Sequence, residues 1–285
     1  MTELFPPFEP GDEPKTRRFK PVPMRLLLPN LITLLSLCSG LTGMRLAIEN
    51  KLEMAVAAIF VAAILDGLDG RVARMMKGTS RFGAELDSLA DFISFGVAPA
   101  VILYFFSLHS LHSPGWIIVL LFACASALRL ARFNVAIDDP GRPAWQKDFF
   151  VGMPAPAGAL TVLLPIYLHL IGLTHPQGAA LQGVLVQGTV GLEALYILFI
   201  AFMMISRIPT YAGKTLGSRV PRSAVIPLFI IVVAFVALLA TMMFEMLALL
   251  TLAYLVCIPL MVRRYRQLAA EEARLAAAGA DLSRP

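Results

Sequence analysis

Charge is scarce in this chain: Asp, Glu, Lys and Arg make up 15% of its 285 residues, while 58% are hydrophobic and mean hydropathy is +0.76. An ordinary soluble domain carries about 25% charged residues, so a soluble globule is excluded. Cysteine is nearly missing too. Cys38, Cys124 and Cys257 are odd in number, far apart and each inside an apolar run, which rules out a disulfide framework or a zinc site built from them. The first 25 residues are polar and proline-bearing and lack the apolar core of a signal peptide, so they read as an uncleaved cytosolic tail. No repeat with a period of 20 to 50 residues is present. What the chain has instead is apolar length, with runs of about 20 residues, enough to cross a bilayer, almost end to end from Leu26 to Val262.

Eight apolar segments can be marked, at 27–48, 53–76, 83–108, 115–136, 155–173, 188–206, 224–243 and 246–262. Backbone groups in lipid must be satisfied within the segment, so each is expected to be a helix. The expectation is an all-α polytopic bundle with a tail at 1–25, a transmembrane domain at 26–262 and a cytosolic helical extension at 263–285. Orientation follows from Lys and Arg: with the N-terminus in the cytosol, all of the 24 bases except Arg45 and Lys51 fall on the cytosolic side. That asymmetry predicts N-in, C-in. The net charge of +5 is thereby a matter of topology and of attraction to anionic lipid, and nucleic acid is not an expected partner.

Four carboxylates sit where lipid should exclude them. Ionisable groups in membrane helices cost roughly 2.5–3.5 kcal/mol each on insertion scales and mark functional sites. Asp66 and Asp69 are three apart on the second segment, and Asp87 and Asp91 four apart on the third, so each pair shares a helical face. At about 1.5 Å per residue, Asp69 lies roughly 12 Å and Asp87 roughly 9 Å from the turn joining the two helices, and the pairs can meet at one depth. Facing carboxylates repel unless cations lie between them, and an all-oxygen cluster suits hard divalent ions such as Mg2+, Mn2+ or Ca2+. The residues alone also allow three roles without such a cluster. Asp66 to Gly70 could be a fragment of a calcium loop, though Leu68 occupies a ligand position; the acids could pair with Arg71, Arg74 or Arg81; or they could relay protons or ions. Against a relay, the extracytosolic halves offer no continuing acid beyond Glu245, at a turn. Gly70, Ala73 and Gly83 leave room among the acids, for close helix packing or for a phosphate-bearing ligand near the backbone.

The string from Asp66 to Arg74, followed after eight residues by Gly83, Asp87 and Asp91, resembles the signature D-x-x-D-G-x-x-A-R-x8-G-x-x-x-D-x-x-x-D of the CDP-alcohol phosphotransferase family. The resemblance implies transfer of a substituted phosphoryl group from a CDP-linked donor to an alcohol, with two divalent metals per site. Carried over by position, Asp66, Asp69, Asp87 and Asp91 are metal ligands and Asp91 is also the general base. Asn30, Thr33, Asp66, Gly70, Ala73, Arg74 and Gly83 form the CDP site, Asn30 and Thr33 through the string Pro29 to Thr33. The strings Ser94 to Ala100, Arg129 to Asn134 and Gly152 to Ala157 are similar to the branch of the family that uses serine. That implies CDP-diacylglycerol as donor, L-serine as acceptor, a homodimer, and a bacterial cytoplasmic membrane with the site facing the cytosol. A serine carboxylate calls for a guanidinium, which makes Arg129 and Arg132, with Asn134, the candidate serine contacts; the arginines could equally serve as anchors at the membrane interface. Another alcohol acceptor, a glycerol phosphate or an inositol phosphate, and a carboxylate-based cation transporter are the alternative functions.

Overall fold

The computed structural model describes residues 24–76, 80–137, 149–173, 182–206, 208–211 and 222–281. The tail at 1–23 lies outside them, as do many of the bases counted toward orientation, among them Lys15, Arg17, Arg18, Lys20, Lys77, Arg142, Lys147, Arg207, Lys214, Arg219 and Arg284.

Every one of the eight apolar segments is helical. The helices are α1 (Met24–Ile48), α2 (Leu52–Met75), α3 (Arg81–Asp91), α4 (Ala98–Phe106), α5 (Ser113–Ile137), α6 (Ala155–Val162), α7 (Leu164–Leu170), α8 (Gln182–Ile205), α9 (Arg222–Thr241) and α10 (Met243–Asp281). By length and composition, four stretches can cross a membrane, Leu27–Ile48, Arg81–Phe106, Ser113–Val135 and Met243–Leu268, and Ala155–Leu170, Thr189–Ile205 and Val225–Thr241 are shorter apolar helices.

Two segments that periodicity reads as single helices are interrupted, each by a proline. In the third, a π-helical turn, Phe92–Val97, separates α3 from α4, with the Ala98 N–H bonded to the Ile93 carbonyl. Pro99 follows directly; it has no N–H and its ring displaces the carbonyl four residues back, which favours the wider turn. In the fifth segment, Pro165 ends α6 at Leu163. The carbonyls freed there find tyrosines: Tyr196 on α8 donates to Thr161 O at 2.7 Å, and Tyr167 donates to Leu160 O at 2.8 Å. Thr161, Val162 and Leu163 are buried, where a carbonyl without a donor is costly, so these phenols are what permits the break.

The core joins α2, α4, α5, α6, α7 and α8 around Ile59, Phe95, Leu103, Phe122, Tyr167 and Ile197, all essentially inaccessible. α1 packs along α2 and against the π turn. Gly40 makes that contact possible, because a Cβ there would stand 2.8 Å from the backbone of Ser94. Gly96 likewise admits Ser126 of α5, whose hydroxyl lies 2.7 Å from where a Cβ would be. At the α1–α2 turn, Asn50 takes a left-handed conformation (φ 58°), and Lys51 and Arg45, the two bases assigned to the far side, both contact Glu49, at 2.8 and 2.9 Å. Lys51, then Arg45, hold the Glu49 carboxyl below its usual range.

One element falls outside an all-helical expectation. β1 (Phe149–Val151) pairs antiparallel with β2 (Pro209–Tyr211), a two-stranded ribbon joining the chain before α6 to the chain after α8. α10 runs without a break from the last apolar segment to Asp281, so the stretch after 262 begins as a continuation of that helix.

Candidate active site

The site is set between α1, α2 and α3. Ser80 caps α3: its hydroxyl accepts the Gly83 N–H at 3.0 Å, one of the donors a helix start leaves open. At Gly83 a Cβ would come within 2.9 Å of the Asn30 carboxamide oxygen and 3.1 Å of the Ser80 hydroxyl, so glycine lets the Asn30 side chain of α1 lie against the start of α3. With the helices so placed, Asp66, Asp69 and Asp87 bring carboxylate oxygens within 4.8 Å of one another. Asp91, a turn deeper on α3, meets the Asp66 carboxyl instead of joining that group of three.

Asp69 is the most enclosed of these acids, 4% exposed, and accepts a 2.6 Å hydrogen bond from the Thr33 hydroxyl. Among the described residues no base lies within ion-pairing distance of any of the four. Three carboxylates at such spacing in a mostly apolar surround, all hard oxygen donors, fit a divalent cation site. A calcium-loop geometry is absent: the acids come from two helices.

Above the acids lies a cleft of about 170 Å³ lined by Asn30, Thr33, Asp69, Gly70, Ala73, Arg74, Gly83 and Asp87, together with Pro29, Ser80 and Ala84. It gathers all the residues expected around a CDP group except Asp66, which lies beneath it in the acid cluster. Pro29, Ser80 and Ala84 are additions to the expected set, although Ser80 just before the third segment carries a helix-cap signal. A second, apolar groove of about 560 Å³ adjoins the cleft at Asn30, between Leu27, Leu28, Leu31 and Leu34 of α1 and Phe82 and Leu86 of α3.

The three candidate serine contacts separate. Arg129 is 6% exposed, stacks on the Phe133 ring at 5.3 Å, faces Asp91 and Asp66, and its Nε has no hydrogen-bond partner among the described residues. Arg132, one turn on, points elsewhere: it donates to the carbonyls of Ile205 (2.6 Å), Met204 (3.2 Å) and Ser206 (3.3 Å), capping the C-terminal end of α8. Asn134 donates from Nδ2 to the Ser88 hydroxyl at 2.9 Å and so ties α5 to the residue after Asp87. One acid is absent from the set that the sequence pattern picks out. Glu193 lies half-buried within α8 beside Ser107, so the apolar segments hold a further carboxylate beyond the four acids and Glu245. Its signal is a single charge inside an apolar run.

Together these features define a membrane-embedded helical protein with a cluster of carboxylates beside a cleft between its first three helices, flanked by an apolar groove. The sequence profile of the CDP-alcohol phosphatidyltransferase family matches residues 26–195, and the chain belongs to that family. It is 41% identical over 244 residues to the CDP-diacylglycerol–serine O-phosphatidyltransferase of Mycobacterium leprae, spanning 86% of this chain and 77% of that one. The protein of the same name from Mycobacterium tuberculosis is 53% identical over 137 residues, 48% of each chain. That from Helicobacter pylori is 41% identical over 150 residues, 52% of this chain and 60% of the other. The chain thus spans most of the first relative and about half of the second.

Proposed function

We propose that the protein transfers the phosphatidyl group of CDP-diacylglycerol to the hydroxyl of L-serine, forming phosphatidylserine and CMP. The observation that carries this is the convergence of Asp66, Asp69 and Asp87 within 4.8 Å beneath a cleft lined by the signature residues, in a chain whose relatives bear the name of that reaction. Asp66, Asp69, Asp87 and Asp91 would hold two divalent metals, Mg2+ or Mn2+ and with the same donors Ca2+. When bound, such metals supply positive charge to the diphosphate and to the departing phosphate.

The chain's own groups do the rest. Asn30, Gly70, Ala73, Arg74 and Gly83 enclose the CDP moiety, with Gly70 and Gly83 letting phosphate approach the backbone. The apolar groove beside Asn30 receives a diacylglycerol chain from the lipid side. The serine oxygen attacks the phosphorus bearing diacylglycerol, its proton passes to Asp91, and the diphosphate P–O bond breaks to release CMP. Asp91 suits the role of base because it stands off the group of three and faces Arg129. The topology that goes with this chemistry has eight spans, both termini in the cytosol, the tail at 1–25, the catalytic domain at 26–262 and the extension at 263–285. The site faces the cytosol of a bacterial cytoplasmic membrane, and the protein forms a homodimer among membrane lipids.

Purified protein in vesicles with CDP-diacylglycerol should release CMP with serine and not with glycerol phosphate or inositol phosphate, and only when serine and metal are on the face carrying the basic loops. CMP release with another alcohol in place of serine would overturn the acceptor assignment.

The arginines separate in the same assay. A buried N–H without an acceptor is costly, and the Arg129 Nε, which has no hydrogen-bond partner among the described residues, can donate to a substrate carboxylate. Arg129→Lys should raise the Michaelis constant for serine about 10- to 100-fold, the equivalent of one charge-assisted hydrogen bond lost, with little change for CDP-diacylglycerol. Arg132→Lys should leave the serine constant unchanged and lower the melting temperature, since it loosens the cap on α8. An unchanged serine constant in Arg129→Lys would place the serine pocket elsewhere.

A further inference from the structure

We infer that Thr33 is a positioning residue for the acidic cluster: its hydroxyl fixes the Asp69 carboxylate in the orientation in which it meets Asp66 and Asp87. This rests on the metal reading proposed above and assigns Thr33 differently from the family resemblance, which puts it among the nucleotide contacts. The bond is 2.6 Å, in the range of a hydroxyl donating to an ionised carboxylate, and both partners are almost fully enclosed, 5% and 4% exposed. A hydroxyl has one proton. Directed at Asp69, Thr33 has none left for a phosphate oxygen; among the described residues its one competing acceptor is the Pro29 carbonyl, which at 3.1 Å is the more distant.

The bond is also one rung of a series. Ser36 donates to Ala62 O at 2.9 Å and Ser39 to Ala58 O at 2.7 Å, each from α1 to α2. Gly43, on the same side of α1 as Ser36 and Ser39, brings the two helices close, with the Ala55 carbonyl 3.2 Å from where its Cβ would be. Sliding α1 along α2 would break all three hydroxyl contacts at once, so Thr33 is held opposite Asp69 by the packing of the whole hairpin. Without that restraint the Asp69 side chain, free to rotate about its χ angles, would turn away from the two like charges beside it.

The test is Mn2+ titration of full-length protein in detergent, followed by the electron paramagnetic resonance of free Mn2+, for the unaltered chain, Thr33→Val and Thr33→Ser. Valine keeps the shape and removes the donor, and should weaken Mn2+ about 10- to 100-fold, as loss of a group orienting a metal ligand does; serine should restore binding. Thr33→Ala in the same titration covers the case in which valine is not accommodated. The Michaelis constant for CDP-diacylglycerol, measured at saturating metal, should move far less than the metal affinity. Unchanged Mn2+ affinity in both Thr33→Val and Thr33→Ala would overturn the inference and, if the CDP-diacylglycerol constant rose instead, would make Thr33 a nucleotide contact. Absence of Mn2+ binding by the unaltered chain would overturn the metal reading itself, and the inference with it.

Discussion

Asparagine in place of Asp66, Asp69 or Asp87, one at a time, is expected to abolish CMP release from CDP-diacylglycerol and serine. Each substitution keeps the shape of the side chain and removes one negative charge from three oxygens that lie within 4.8 Å. Charge stabilisation by a bound metal is worth several kcal/mol in a transition state, and each 1.4 kcal/mol is tenfold in rate, so a fall of about 10³-fold or more is expected. Stability should move the other way. Without metal, the crowded carboxylates repel, and removing one relieves that repulsion, so the metal-free variants should melt at or above the temperature of the unaltered protein. Mg2+ or Mn2+ should then raise the melting temperature of the unaltered protein, because a ligand that binds only the folded state stabilises it, and should raise that of the variants much less. Thermal unfolding in detergent with and without EDTA reads both effects. Full CMP release after chelation would remove the metal from the mechanism.

For Asp91→Asn a different pattern is expected. A general base acts on the transition state, so its loss should lower turnover by about 10²- to 10⁴-fold while leaving the Michaelis constant for CDP-diacylglycerol nearly unchanged. Asp91 meets Asp66 and faces Arg129 without being one of the three clustered acids, so its removal should also weaken Mn2+ binding less than Asp69→Asn does. Steady-state kinetics in both substrates, together with an Mn2+ titration, separates the two roles. Undiminished turnover would rule Asp91 out as base, and a loss of metal affinity equal to that of Asp69→Asn would make it a ligand first.

The two variants differ in expected phenotype because of how the hairpin is built, and only part of that construction is written locally in the sequence. Spacings of three and four residues put Asp66 with Asp69 and Asp87 with Asp91 on common faces, and the short link between α2 and α3 brings the two faces together. Nothing in those spacings separates Asp91 from the other three. That distinction depends on how α3 lies against α2, and so on contacts from elsewhere: Asn30 reaching over Gly83, and Ser80 capping the helix.

Local pattern determined a good deal. Eight apolar runs became helices because in an apolar solvent the backbone has to satisfy itself within each run, and acids placed in such runs cost enough to announce a site. Charge scarcity alone set the class of molecule. The tertiary structure decided the partners. Arg129 and Arg132 are one turn apart and indistinguishable by type, yet one faces the acids and the other caps α8 some seventy residues away; which anion each guanidinium meets depends on where a distant helix ends. Thr33 has the pattern of a nucleotide contact, and only the packing of α1 against α2 turns its hydroxyl to Asp69. The ribbon of β1 and β2 and the pairing of Tyr196 with a carbonyl freed by Pro165 share the same cause. Periodicity in a chain reports which face of a helix is apolar, whereas the choice of partner is made by packing between segments far apart in sequence, where small residues such as Gly40 and Gly96 set how close two backbones can come.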